Sequence, residues 1–260
     1  MRWLRYSTDG RTGYGLLHDD MVEEVTGTPF DSFERTGRRR PLNSVKIEVP
    51  VIPQTFYAAG LNYTSHVAKM EAIIGKPLDL PQKPDIGYRA ANALIAHDEP
   101  IVLPRDATER VQYEGELVVV IGKKAKRLSR NEALSCVLGY TIGNDVSERT
   151  WQAADRTFWR SKNTDTFKPM GPWIETEVDL DALHTAVRLN GEETIRFRTN
   201  DMLFGVAEYI SAMSQYVTLH PGDVIWMGTD GVPVNMKAGD VVEIDIAGIG
   251  VLRNAIVMDS

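Results

Sequence analysis

A run of apolar residues, Leu117-Val118-Val119-Val120-Ile121, entered directly from Glu114-Gly115-Glu116, constrains this chain more than any other stretch. Short β-branched runs of this kind form buried strands. Side chains alternate along a strand, so Glu114 and Glu116 share a face that Val118 and Val120 continue as apolar surface. Two like charges at the mouth of an apolar layer repel each other and lose hydration. A divalent cation removes both penalties. A solvated Glu-x-Glu face avoids them as well, and spacing alone leaves both readings open. A third carboxylate, Asp145, closes a second apolar segment, Val137 to Asp145. Hard oxygen ligands of this kind suit Mg²⁺, Mn²⁺ or Ca²⁺ better than zinc.

The 260 residues fit one large domain, or one domain with a small appendage. A formal net charge of −7 speaks against nucleic acid as a partner, because no basic excess offsets phosphates. The short run Arg38-Arg39-Arg40 beside Pro41 reads as a solvated loop. The single cysteine, Cys136, lies in an apolar segment and reads as a packed small hydrophobe. Met1-Arg2-Trp3-Leu4-Arg5 leads into polar residues rather than an apolar leader, and no run reaches membrane-spanning length. A reducing cytoplasm and no membrane partner are the expectations.

Along the chain, residues 1–45 read as a small N-terminal β domain, with strands around Trp3–Tyr6, Tyr14–Leu17 and Val22–Val25. Thr36 to Pro41 reads as a polar connector, and the main domain spans 46–260. A short strand, Thr55 to Ala59, leads to Gly60-Leu61-Asn62-Tyr63. Helices are expected over Thr64 to Ile74, Asn131 to Leu138 and Phe204 to Met213. Ser129 and Asn200 or Asp201 are the cap candidates for the last two. Gly75 to Pro84 reads as a mobile loop. Asn190-Gly191 between two strand-like runs predicts a type I′ hairpin. Two echoes, Pro221-Gly222-Asp223-Val224-Ile225 and Ala238-Gly239-Asp240-Val241-Val242, each read as a turn entering a strand. Strands outnumber helices without regular alternation, which points to a β-rich α+β domain.

Several segments, in one order, resemble the fumarylacetoacetate hydrolase family over nearly the whole chain. They are Ala59-Gly60-Leu61-Asn62-Tyr63 with His66, then Tyr113-Glu114-Gly115-Glu116-Leu117 running into Val120-Ile121-Gly122-Lys123. Gly139-Tyr140-Thr141 follows, with Gly143-Asn144-Asp145-Val146-Ser147 and Arg149. Next come Lys162, Asp165-Thr166-Phe167 and Pro169-Met170-Gly171-Pro172. Last are Leu219 with Pro221-Gly222-Asp223-Val224-Ile225, Gly228-Thr229 and Gly248-Ile249-Gly250. The resemblance implies a mainly β, mixed β-roll or sandwich, a homodimer, and Mg²⁺ or Mn²⁺ on Glu114, Glu116 and Asp145. It places Arg149, Gln152 and Lys162 in the active site, with Lys162 holding oxyanion charge. It makes His66 the general base and sets the Thr229 hydroxyl against a substrate carboxylate. A tight turn at Gly228-Thr229 is an equal reading of that pair.

Two positions depart from the family pattern. Lys69 stands where many smaller members carry a glutamate one helical turn after the histidine. The nearest acid is Glu71, which could orient the base, while Lys69 could meet an acidic substrate group. Arg89 stands where members often have lysine, within reach of the same substrate. The implied function is metal-dependent hydrolysis of a carbon–carbon bond in a small β-diketo acid such as an acylpyruvate. Decarboxylation, tautomerisation or isomerisation of 2-oxo acids and hydroxydienoates is the alternative, and loss of the glutamate favours it, because tautomerisation and decarboxylation need no attacking water. A silent 2-oxo acid binding protein is a third reading; tight retention without turnover would mark it.

Overall fold

The computed structural model describes residues 1–65 and 80–260. Strands dominate, arranged as two β layers with few helices, in keeping with the expected mainly β class. The large sheet has twelve strands. Its path starts with an antiparallel meander, Phe33–Pro41, Met21–Gly27, Arg11–His18 and Arg2–Thr8. It continues through Lys168–Glu175, Val137–Asn144, Gly115–Ile121, Val224–Trp226, Phe56–Ala59 and Ile86–Tyr88. The N-terminal unit therefore extends the main sheet through the pairing of Arg2–Thr8 with Lys168–Glu175. The second sheet has five strands, ordered Glu192–Arg198, His184–Leu189, Val241–Ile246, Gly250–Met258 and Ile101–Leu103.

The alternation read from the sequence sorts the central strand into two cores. Leu117, Val119 and Ile121 pack with Val187, Ile244 and Leu252 of the five-stranded sheet. Val118 and Val120 point the other way and pack with Trp3, Phe56 and Trp226. Each such fully buried side chain contributes roughly 1.5–3 kcal/mol. Gly115 sits at a close approach of the two sheets: a Cβ there would lie 3.0 Å from Ile244 and 3.1 Å from Val187. Cys136 is buried and free. The hairpin at Asn190-Gly191 forms with φ of 54° and 82°, both left-handed, as a type I′ turn demands. Both echo segments enter strands, Val224–Trp226 and Val241–Ile246, after Gly222 and Gly239 at positive φ.

Three expectations are corrected. The stretch from Thr36 to Pro41 is not a connector but part of the edge strand Phe33–Pro41. Its arginines are matched by acids on the neighbouring strand: Arg38 lies 2.6 Å from Glu24, and Arg39 lies 3.6 Å from Glu23. Backbone pairing with Met21–Gly27, with these charge pairs across it, overrides the loop-like composition. Over Asn131 to Leu138 only a 3₁₀ turn, Ala133–Cys136, forms, because Val137 and Leu138 are drawn into the strand Val137–Asn144. The later helix runs Val206–Tyr216 and is capped by Gly205 rather than Asn200 or Asp201, with Glu208 Oε2 accepting the Gly205 N–H. Of the helix expected over Thr64 to Ile74, Thr64 and Ser65 are helical; its remainder and the first half of the loop Gly75 to Pro84 lie outside the described residues. Among the described residues no helix is long and apolar enough to cross a membrane.

Candidate metal and active site

The antiparallel register of Gly115–Ile121 against Val137–Asn144 sets Gly115 opposite Asn144. Asp145 follows directly, and its N–H donates to Glu114 O at 2.9 Å. Asn144 Oδ1 in turn accepts the Glu114 N–H at 3.1 Å. Two strand ends therefore deliver Glu114, Glu116 and Asp145 to one spot, all three buried. One carboxylate oxygen from each lies within 4.8 Å of the others. Octahedral Mg²⁺ at 2.0–2.1 Å spaces its ligand oxygens roughly 3–4 Å apart, so a small closure fits the trio to one ion. The all-oxygen donor set is the right chemistry for Mg²⁺ or Mn²⁺.

Cations surround these acids. Lys162 Nζ donates to Glu114 Oε2 at 2.6 Å and to Asp145 Oδ2 at 2.8 Å. It arrives on a turn from Asp155 to Thr164 that requires Phe158 at φ 55°, with Phe158 O accepting the Lys162 N–H at 3.1 Å. Arg89 grips Asp145 through Nε at 3.2 Å and Nη2 at 2.8 Å. Arg149 donates to Glu114, Gln112 and Gln152 at 2.7, 2.8 and 2.8 Å. Arg149 and Gln152 sit on the short helix Arg149–Ala154, whose start is capped by the buried Glu148 side chain.

Electrostatics divide the trio. Burial pushes Glu114 up, but Arg149 and Lys162 outweigh it and bring the carboxyl down to about 2. Burial likewise opposes ionisation of Asp145, and Arg89, Lys162 and Lys168 hold it well below the usual carboxylate range. Glu116 has no ion pair among the described residues; it accepts the Gly228 N–H at 2.8 Å. Burial, then the charges of Asp145 and Glu114, push it up to about 8. A bound dication is what this third carboxylate needs to ionise at neutral pH.

These groups line one cavity of about 640 Å³. Glu114, Glu116, Asp145, Lys162, Arg149, Gln152, Arg89 and Thr229 all reach it. Gly228, at φ 85°, approaches within 3.4 Å of Asn62 Cβ if given a Cβ of its own. Asn62 pins this turn by donating to Met227 O at 2.9 Å. His66, Lys69 and Glu71 lie outside the described residues. Sequence reasoning missed Lys168, which is fully buried and 2.7 Å from Asp145 Oδ1. Burial pulls its ammonium down to about 7, against the pull of Asp145. The available signal was a lone cation before the apolar residues 169–174 of the strand Lys168–Glu175, since a buried lysine needs an acidic partner. Gln112 was also missed; nothing in its local sequence marks it, and only the fold brings it to Arg149.

Comparison with known proteins gives a consistent picture. A family model described as fumarylacetoacetate (FAA) hydrolase, C-terminal, matches residues 55–257, and one described as Rv2993c-like, N-terminal, matches 1–50. The chain is 36% identical over 230 residues to the mitochondrial oxaloacetate tautomerase FAHD2A of Bos taurus, covering 84% of this chain and 71% of that one. It superposes with a TM-score of 0.90 on a 5-carboxymethyl-2-hydroxymuconate delta-isomerase from Mycobacterium smegmatis, at 35% identity and full coverage of both chains. A 2-hydroxyhepta-2,4-diene-1,7-dioate isomerase from Mycobacterium marinum gives a TM-score of 0.89 at 34% identity, covering 100% of this chain and 99% of that one.

Proposed function

The chain belongs to the fumarylacetoacetate hydrolase family, and from that premise we propose that it is a divalent-metal-dependent enzyme that shifts a proton between the enol and keto forms of a small 2-oxo acid. The observation that carries this reading is the meeting of three buried carboxylates, within 4.8 Å, with a lysine bridging two of them on the floor of one cavity. Glu114, Glu116 and Asp145 would hold the ion, which when bound supplies Lewis acidity toward the 2-oxo end and offsets enolate charge. Relatives at 34–36% identity named as isomerases and a tautomerase are in keeping with proton transfer.

The chain's own groups do the rest. Lys162 carries three N–H donors, two of them engaged by Glu114 and Asp145, and the third serves the substrate's developing oxyanion. Gln152 gives its carbonyl oxygen to Arg149, which leaves its amide N–H groups for substrate. Arg89 and Arg149 hold the carboxylates in place and lower the cost of bringing an anionic substrate to an acidic site. Thr229, which also lines the cavity, supplies a hydroxyl to the substrate carboxylate. His66 carries the proton at the carbon beside the oxo group. In place of water activation, Lys69 serves as a further anion contact.

The test is a substrate panel with Mn²⁺ or Mg²⁺ and with chelator. Enol–keto interconversion is followed by ultraviolet absorbance and by deuterium uptake at the carbon beside the oxo group. Acylpyruvate cleavage is followed in parallel by release of pyruvate. The expected outcome is chelator-sensitive proton exchange without carbon–carbon cleavage. Cleavage faster than exchange would establish the hydrolytic reading instead, and tight binding with neither reaction would mark a silent binding protein.

A further inference from the structure

Lys168 is a buried cation that the proposed chemistry leaves unused. The antiparallel register pairs Gly143 with Met170, so two residues further on Asp145 falls across from Lys168. The backbones stay close there, with the Val146 N–H donating to Phe167 O at 3.1 Å. Opposite charges at such cross-strand positions attract. Lys168 Nζ lies 2.7 Å from Asp145 Oδ1 and donates to Val146 O at 2.9 Å and Phe167 O at 2.8 Å. These acceptors use all of its N–H groups, so none remains for a substrate. The side chain is 0% exposed and is not among the residues that line the cavity. It reaches Asp145 from within the protein.

The two oxygens of Asp145 are thereby divided. Oδ1 faces Lys168, while Oδ2 meets Lys162 and Arg89, each at 2.8 Å and each lining the cavity. Arg89 adds a longer contact to Oδ1, at 3.2 Å. The other two acids show the same division. Glu114 Oε1 accepts from Arg149 at 2.7 Å and leaves Oε2 to Lys162 at 2.6 Å. Glu116 Oε2 accepts the Gly228 N–H at 2.8 Å. A carboxylate with one oxygen tied to the protein offers an ion one oxygen rather than two. That difference separates the hard dications. Mg²⁺ demands six ligands in near-octahedral geometry at about 2.0–2.1 Å, whereas Ca²⁺ accepts about six to eight at 2.3–2.6 Å and often takes both oxygens of one carboxylate.

We propose that Lys168 is a positioning residue that holds Asp145 to a single ligand oxygen and so tilts the site from Ca²⁺ toward six-coordinate Mg²⁺ or Mn²⁺. It acts through Asp145 and touches neither ion nor substrate. This rests on the reading of Glu114, Glu116 and Asp145 as metal ligands, and adds to it which dication the site takes. An all-oxygen donor set suits all three ions, so the choice among them lies in how the oxygens are tied.

The experiment measures Mg²⁺ and Ca²⁺ binding by calorimetry on the full chain, wild type against Lys168→Met, which keeps the length of the side chain and removes its donors. Loss of the lysine charge alters the attraction for both ions alike, since both are dications, so the ratio of their affinities reports denticity. In Lys168→Met that ratio should move toward Ca²⁺ by roughly tenfold to a hundredfold, the usual effect of an outer-shell partner on metal affinity. Infrared difference spectra on protein isotope-labelled at the aspartate carboxyls give a signature that general loosening would not. Ca²⁺ should produce a two-oxygen aspartate band in the variant and a one-oxygen band in the wild type. A two-oxygen band in the wild type overturns the proposal, and this arm stands even where Lys168→Met does not fold. An unchanged affinity ratio in folded Lys168→Met overturns it as well, while leaving the metal ligands in place. If the wild type binds none of Mg²⁺, Mn²⁺ and Ca²⁺, the metal reading itself fails and takes this proposal with it.

Discussion

Replacing Lys162 with methionine tests the charge balance of the site most directly. Three ionised carboxylates and a dication leave −1, and a substrate carboxylate makes it −2 before any enolate charge develops. Lys162 is the cation that bridges Glu114 and Asp145, at 2.6 and 2.8 Å, and only 5% exposed. Its loss removes one oxyanion contact, so kcat should fall by about 10²–10³. Breaking a buried ion pair typically costs 3–5 kcal/mol. Here Glu114 keeps Arg149 at 2.7 Å, and Asp145 keeps Arg89 at 2.8 Å and Lys168 at 2.7 Å. The stability loss should therefore sit near or below the low end of that range, about 2–3 kcal/mol. For a chain of this size that lowers Tm by roughly 4–12 °C. Mn²⁺ affinity should survive, because the lysine competes with a metal for the same oxygens. The assays are enol–keto kinetics, calorimetric Mn²⁺ binding and thermal unfolding. A kcat within threefold of wild type, or metal binding lost together with activity, would refute the assignment of Lys162 to oxyanion stabilisation.

Other outcomes follow from the same geometry. Because Glu116 ionises only at about 8 in the absence of a cation, metal binding below that pH must expel its proton. Metal affinity should then rise about tenfold per pH unit up to pH 8 and level off above it, with proton release seen as a buffer-dependent binding enthalpy; pH-independent affinity would contradict the shift. Gly115→Ala should cost about 1–3 kcal/mol in urea unfolding, because the new Cβ meets Ile244 and Val187 at 3.0–3.1 Å between the sheets. His66→Ala should lower kcat by about 10²–10⁴ if it carries the proton, Glu71→Gln should lower kcat strongly if Glu71 orients it, and Lys69→Ala should mainly raise KM. Unchanged kinetics in all three would leave the proton to another cavity residue.

Period and punctuation are local properties, and they were legible in the sequence. The alternation through Leu117–Ile121 told which side chains face which core, because a strand turns each successive Cβ to the opposite face whatever surrounds it. Asn190-Gly191 determined its turn for the same reason: both residues tolerate the left-handed backbone that a type I′ hairpin needs. The pairing of Glu114 and Glu116 with Asp145, and the candidate cations Arg149 and Lys162, came through the family resemblance, while spacing and charge alone left them open.

Tertiary structure decided what depends on partners distant in the chain. The Phe33–Pro41 stretch is a strand because its backbone pairs with Met21–Gly27, where Glu23 and Glu24 meet its arginines, and Val137–Leu138 leave the expected helix because they pair into the sheet. The ionisation of the trio was equally out of reach. Three chemically similar carboxylates are split, one to about 2 and another to about 8, by which of them Arg149 and Lys162 touch. Lys168 has an acid to pair with only once burial brings it to Asp145. Electrostatic roles depend on distances of a few ångströms between residues tens of positions apart, and those distances belong to the fold rather than to any local stretch of sequence.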